Sequence, residues 1–413
     1  MTLKSINRYL LCAGILLLPL FGFKEFLYTI NLYTPDLSNP LNALSMTSPF
    51  IKEIKDLLLF FICLNFAVYY CIGRKTQSIK IPDRLTVLFA VYIIFEAILI
   101  FLRTNLLDTL LSIRSFMPLI LIVVSYNFIN SEDMRSIKKS VILIACLEAL
   151  LGTIQFIFGK PVFGHSPLGF GTRISGTYFV CQSMGLFFLL GIIFLLADDL
   201  NTYLKKILFV LFSFFIILTG SATSIIGLFF AIIIKNYYKS RRLFGKDVIV
   251  ILLIILMPIL LTTIPALSGR GAAIYQDSGY NRLKIFSNLI NNTNSVSDLL
   301  IGHGLGYGSN FIILASLAGQ IEQNEIVKSF STDSFYTSYI SQIGLIGLLL
   351  FLTLNLYAWY HSFKQKYMLG IIMIPVFLLT GFTAIFTEHF PINWVYPIVL
   401  GYIYKQDNCN TKI

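Results

Sequence analysis

Ile207–Asn236 reads ILFVLFSFFIILTGSATSIIGLFFAIIIKN. The run is apolar on both sides of one short small-and-polar break, Gly220-Ser221-Ala222-Thr223-Ser224. A membrane-crossing helix needs about 20 apolar residues, so the stretch is either one long crossing or two short ones. Its flanks decide. Lys205 and Lys206 precede it, Lys235 stands at its end and Lys239 follows. Lysine and arginine collect on the cytoplasmic side of membrane helices. Basic flanks at both ends therefore predict two crossings that turn at Gly220–Ser224 on the far side.

Worked outward, the same pattern covers the chain. Of its 413 residues 56% are hydrophobic and only 12% charged, against roughly 25% charged in a soluble domain. So few charges cannot cover a water-facing surface, which excludes a soluble enzyme, a disordered chain and a coiled coil. Residues 1–413 are read as one all-α integral membrane domain. Helices are predicted near 7–23, 55–73, 85–102, 115–130, 140–159, 175–197, 205–219, 222–236, 247–267, 335–358, 367–386 and 392–404. With both termini in the cytoplasm, every inside segment of this twelve-helix scheme is basic. These segments hold Lys4 and Arg8; Arg74, Lys75, Lys80 and Arg84; Arg135, Lys138 and Lys139; Lys205 and Lys206; Lys235 through Lys246; Lys364 and Lys366; Lys405 and Lys412. Residues 1–22 start basic and turn apolar, as a signal peptide does. No small-residue cleavage site follows, so they are read as an uncleaved first helix. The six cysteines show no CxxC spacing and the four histidines no HExxH, so neither a disulfide framework nor a metal site is expected.

Two outside loops stand out, 24–54 and 268–334. Loops beyond about 15 residues are usually functional or disordered. The second is not disordered by composition: Leu283, Ile285, Phe286, Leu289 and Ile290 form one face of a short helix, with Arg282, Asn288, Asn291 and Asn292 opposite. Such a helix can lie on a membrane surface. Outside arginines are Arg103, Arg114, Arg173, Arg270 and Arg282. The planar guanidinium suits phosphate oxygens; the alternative is a helix-end anchor or a partner for Asp108, Asp277 or Asp298. Gly302-His303-Gly304-Leu305-Gly306-Tyr307-Gly308 permits tight turns or close backbone approach to a ligand, or is a plain turn re-entering the membrane. Asp333-Ser334 stands before a helix start, as an N-cap or as a carboxylate able to take a proton from a sugar hydroxyl. Gly344 and Gly347 allow close helix packing. Glu96 and Glu148 fall mid-helix, where an ionisable side chain is functional by default or bonded within the bundle. Glu388-His389 either lines an outer cavity or ends a helix.

A many-spanning bundle, a long outer loop with an early arginine, a glycine-rich stretch, then a polar pair nine residues before Gly344-x-x-Gly347 resembles the O-antigen polymerase and O-antigen ligase superfamily. Arg173-Ile174-Ser175-Gly176-Thr177 adds to the likeness. The resemblance implies a metal-independent, membrane-embedded glycosyltransferase of the C-type class in the bacterial inner membrane. It would act at the periplasmic face on undecaprenyl-pyrophosphate-linked glycans, with no cofactor and no nucleic-acid partner, alongside a chain-length regulator and a flippase. Where the ligases place His, this chain has Asp333 followed by Ser334, which favours a polymerase. Asp333 and Arg282 are then the catalytic candidates. Arg270, Arg173, Arg114, Tyr280, Gly304, Gly306 and Ser334 are the substrate-binding ones. A ligase, or a flippase or other transporter, is the alternative.

Overall fold

The computed structural model describes residues 3–17, 22–32, 49–72, 79–103, 106–159, 173–178, 180–198, 202–240, 296–307 and 334–410. Every regular element among them is helical. In chain order these are α1 (Leu3–Leu16), α2 (Phe23–Thr29), α3 (Pro49–Ile72), α4 (Arg84–Arg103), α5 (Leu106–Ile113), a 3-10 turn (Met117–Ile120) and α6 (Leu121–Phe128). There follow α7 (Ser131–Phe158), α8 (Cys181–Ala197), α9 (Tyr203–Thr219), α10 (Ala222–Ser240), α11 (Val296–Ile301), α12 (Phe335–Lys364), α13 (Met368–Thr380) and α14 (Ile392–Asn410). Among the described residues four segments are long and apolar enough to cross a bilayer: Ile54–Cys71, Arg84–Leu102, Ser131–Phe158 and Phe335–Lys364. The chain is a helical membrane protein. The predicted ninth helix, 247–267, lies outside the described residues.

The opening stretch is two helices, divided at its small-and-polar break. Helix α9 stops at Gly220, whose left-handed backbone (φ 63°, ψ 25°) forms the C-cap, and α10 begins two residues later. The turn is shorter than the sequence break because Ala222, Thr223 and Ser224 already continue into α10. Both helices pack on α8, whose fifteen buried residues from Cys181 to Leu196 make it the centre of the bundle. A helix apolar all round belongs in such a place. Helices α6 and α14 form the other close pair, and α10, α12 and α13 connect the two groups.

Polar contacts separate the helix ends into two sets. At one end Arg8 pairs with Asp133 at 3.3 Å, Lys138 and Lys205 share Asp198, and the Lys405 ammonium donates to the Ile129 carbonyl at 2.7 Å. Asn130 and Asp133 cap α7 there by a reciprocal box, each side chain accepting from the other's backbone N–H. At the other end lie Arg114, the 173–178 segment, the α9–α10 turn, the glycine-rich segment, the head of α12 and the α13–α14 loop.

Helix α12 is not continuous. Gly344 sits at φ 65°, ψ −176°, outside helical geometry. A Cβ there would lie 2.2 Å from the Leu300 carbonyl oxygen and 2.4 Å from the Ile301 carbonyl carbon. Expected only to permit close packing, Gly344 also breaks the helix, and only glycine adopts this backbone without a large cost.

Candidate functional site

Two irregular segments are held at the end of the bundle opposite the lysines. The first runs from Arg173 to Tyr178. Gln155, on the last turn of α7, accepts from the amides of Ser175 (2.8 Å) and Gly176 (2.9 Å) and donates to the Ser175 hydroxyl at 3.2 Å. Two turns earlier the Glu148 carboxylate accepts from the Thr177 amide at 3.0 Å and from the Thr177 hydroxyl. Positions i and i+7 share a helix face, so α7 presents both acceptors to one strip of backbone. Glu148 is fully buried; its role is bonding within the bundle.

Arg173 begins this segment and turns toward α9. Its Nε donates to the Thr219 carbonyl at 2.9 Å and its Nη2 to the Gly220 carbonyl at 3.2 Å. These are the last carbonyls of a helix, where a cation both supplies missing donors and meets the negative end of the dipole. Arg173 is therefore a helix-end anchor.

The second segment, Val296–Tyr307, packs into the break in α12. The amide of His303 donates to the Ser341 carbonyl at 2.8 Å, and that of Gly304 to the Gln342 carbonyl at 3.1 Å. The Gly306 amide donates to Gln342 Oε1 at 2.9 Å, and the Gly302 amide closes α11 on the Asp298 carbonyl at 2.9 Å. From α4 the Tyr92 hydroxyl lies 2.8 Å from the Ile343 carbonyl and 3.3 Å from the Ile301 carbonyl. Gly302, Gly304 and Gly306 have φ of 93°, 109° and 87°, which brings successive amides onto the same broken strand of helix. Gly344 lies nine residues below Phe335, roughly 14 Å along the axis at about 1.5 Å per residue. The segment therefore packs deep against the α12 helix, where buried non-helical backbone needs protein partners for its polar groups. The amides of Gly304 and Gly306 are spent on α12.

The α13–α14 loop joins these parts. Gln182 donates to the Thr383 carbonyl at 2.5 Å, the Thr223 and Thr383 hydroxyls share a bond of 2.6 Å, and Ser183 Oγ meets His389 Nδ1 at 2.9 Å. His389 keeps some exposed surface, yet desolvation of its ring lowers the imidazole to about 4, so it is neutral at ordinary pH. Ser334 occupies the N-cap position of α12, but its hydroxyl does not cap; it donates to the Gly381 carbonyl at 3.2 Å. The Phe335 amide uses the same carbonyl at 2.8 Å. Ser334 thereby ties α12 to α13. Beside this loop a hollow of about 10 Å³ is lined by Ser115, Pro118, Phe386, Thr387, Asn393 and Tyr396, room for one water.

Arg114 forms an ion pair with Asp56 of α3, a partner not among the three aspartates weighed from the sequence. Arg114 and Arg173 have different partners and are not brought onto a common one. Asp333, Arg282, Arg270 and Tyr280 lie outside the described residues. Tyr92 and Gln342, which hold the Val296–Tyr307 segment, were not anticipated; their only sequence signal is a polar atom within an apolar helix. Among the described residues no group of three His, Cys, Asp or Glu side chains could hold a metal ion. No family model matches the chain, and no curated protein matches it.

Proposed function

We propose that the chain crosses the bacterial inner membrane twelve times with both termini in the cytoplasm. It polymerises undecaprenyl-pyrophosphate-linked oligosaccharide units at the periplasmic face. One observation supports this most: those segments of the resemblance that fall among the described residues, Arg173–Thr177, Gly302–Tyr307 and the head of α12, gather at the end of the bundle opposite Arg8, Lys138, Lys205 and Lys405. By the positive-inside rule the lysine end is cytoplasmic. The Arg173–Thr177 segment, the glycine-rich loop and the head of α12 then face the periplasm.

In this reading the Asp333 carboxylate takes the proton of the acceptor sugar's hydroxyl. The hydroxyl oxygen forms a bond to the donor's anomeric carbon. The bond from that carbon to the pyrophosphate oxygen breaks, and undecaprenyl pyrophosphate leaves. Arg282 and Arg270 supply the positive charge that stabilises the leaving group. Arg173, bonded to two carbonyls, and Arg114, paired with Asp56, hold local structure instead, which narrows the cationic set to the long loop. The leaving group is intrinsically good, so alignment of the two substrates supplies much of the rate.

A second reading, a flippase or other transporter, is favoured by the break in α12 at Gly344, since discontinuous helices recur at transporter binding sites. Supplying purified lipid-linked repeats to the reconstituted protein separates the two. Longer carrier-linked chains indicate polymerisation, transfer to an added lipid A core indicates a ligase, and movement of units without joining indicates transport. In cells, Arg282→Ala at normal expression abolishes full-length polymer; full-length product would remove Arg282 from the mechanism.

A further inference from the structure

Helices α7 and α9 both start at the lysine end and pack against each other. A bridge ties their starts. The Lys138 ammonium of α7 and the Lys205 ammonium of α9 meet the carboxylate of Asp198, the residue that caps α8, with Lys205 at 3.6 Å. Lys205 also donates to the Asp198 carbonyl at 3.3 Å. One carboxylate serves two ammonium groups, so the bridge keeps a net positive charge. Further cations stand on the same two helices: Arg135 and Lys139 on α7 and Lys206 on α9, all three exposed. The acids that face these five cations are Glu132, Asp198 and Asp199, since Asp133 is paired with Arg8. Positive charge is in excess.

Beyond the cations each helix surface turns apolar. On α7, Arg135 and Lys139 lead in steps of four to Leu143 and Leu147. On α9, Lys206 leads in the same steps to Val210 and Phe214. Residues four apart lie on one helix face, and all four apolar side chains are exposed. Two neighbouring helices therefore present cations at the lysine end and bare hydrocarbon running away from them. A phospholipid carries its groups in the same order, phosphate first and acyl chains after. A headgroup of net negative charge offsets the excess cations, whereas a zwitterionic one brings a competing ammonium to the same place.

We propose that the α7–α9 face binds an anionic phospholipid. Arg135, Lys139 and Lys206 serve its phosphate, and its acyl chains lie along the two apolar stripes. The Lys138–Asp198–Lys205 bridge sets the spacing of the helices and so of the cations. By the positive-inside rule the lipid belongs to the cytoplasmic leaflet. Lipid binding here is independent of sugar transfer at the other end of the bundle.

Native mass spectrometry of the full chain in detergent, titrated with phosphatidylglycerol or with phosphatidylethanolamine of the same acyl chains, tests the site. The wild type holds phosphatidylglycerol more tightly by about fivefold or more, the equivalent of one cation–headgroup attraction. Lys139→Gln combined with Lys206→Gln weakens phosphatidylglycerol by about fivefold for each charge removed and leaves phosphatidylethanolamine unchanged. Lys239→Gln combined with Lys364→Gln removes as many charges from the last turns of α10 and α12 and leaves phosphatidylglycerol binding unchanged. Inorganic phosphate at the same concentration leaves the lipid bound. The proposal fails if the wild type holds both lipids equally or if the Lys139 and Lys206 variant keeps full affinity. It fails equally if the Lys239 and Lys364 variant loses as much, which would mean diffuse attraction to the whole basic end. Displacement by inorganic phosphate would make this a free-phosphate site and overturn the lipid assignment. Should the double variant not fold, Lys206→Gln alone, at an exposed first-turn position, decides the matter.

Discussion

The Arg173–Tyr178 and Val296–Tyr307 segments face the same problem at the same end of the molecule and solve it differently. Each places irregular backbone against apolar helices, where an unpaired amide is costly. The first is held by side chains, Glu148 and Gln155, projecting from the unbroken α7. The second is held largely by backbone, through carbonyls that α12 exposes by breaking at Gly344. A side-chain clamp leaves its helix intact and depends on two polar residues. A backbone clamp depends on glycines and survives most changes of side chain. The two clamps should therefore fail under different insults.

The largest expected effect is on the backbone clamp. Gly344→Ala forces a Cβ into the α11 carbonyls and a backbone that L-residues avoid, costing about 4 kcal/mol. Thermal unfolding in detergent should show a protein that is barely folded, and near-normal stability would mean that the break is not there. Glu148→Leu attacks the other clamp. It strands the amide and hydroxyl of Thr177, a loss of about 3 kcal/mol, whereas Glu148→Gln keeps an acceptor and loses about 1 kcal/mol. Equal losses for the two variants would mean that the carboxylate's bonds to Thr177 do not hold the segment.

Beyond the two clamps, acid should probe the α13–α14 loop that joins them, without mutation. His389, bonded to Ser183, has its imidazole lowered to about 4, below the free value near 6.5. The unfolded chain therefore binds more protons between these values, and stability is complete above about pH 6.5 and falls as pH drops toward 4. Near pH 5 the loss is about 2 kcal/mol. His389→Asn should lose this acid sensitivity; if the variant and wild type melt alike across that window, His389 is not buried neutral. The smallest effect is expected at Arg114. Its pair with Asp56 is partly exposed, so Asp56→Asn should cost no more than about 1 kcal/mol in the same melts. A larger loss would show that Arg114 is held in a drier site and by more than this pair.

What the sequence showed in advance follows the range of each physical signal. The turn at Gly220 was legible because lysines on both flanks of 207–236 act through a membrane-wide rule. Glu148 was visible as a charge in an apolar helix, but its partner was not, because Thr177 lies in a separate segment. Gly344 was read as a packing glycine, since its spacing to Gly347 fits packing as well as a break. Its positive φ is imposed by Leu300 and Ile301, distant in sequence. The partner of Arg114, Asp56, lies on α3, far from it in sequence, and only the fold brings the two together. Ser334 has a capping residue's position without its bond, because the Gly381 carbonyl competes for the hydroxyl. Arg282, Arg270, Tyr280 and Asp333 fall outside the described residues.

Orientation decides which end of the bundle can meet a periplasmic glycan, and labelling single cysteines from one side of the membrane measures it directly. In a variant lacking the native cysteines, Val180→Cys would report on the end that carries both clamps and Tyr203→Cys on the lysine end. Both positions are exposed, at 45% and 80%. A membrane-impermeant maleimide added outside intact spheroplasts should modify position 180 at once and position 203 only after the membrane is opened. Labelling of 203 first would put the clamps in the cytoplasm, where no periplasmic glycan could reach them.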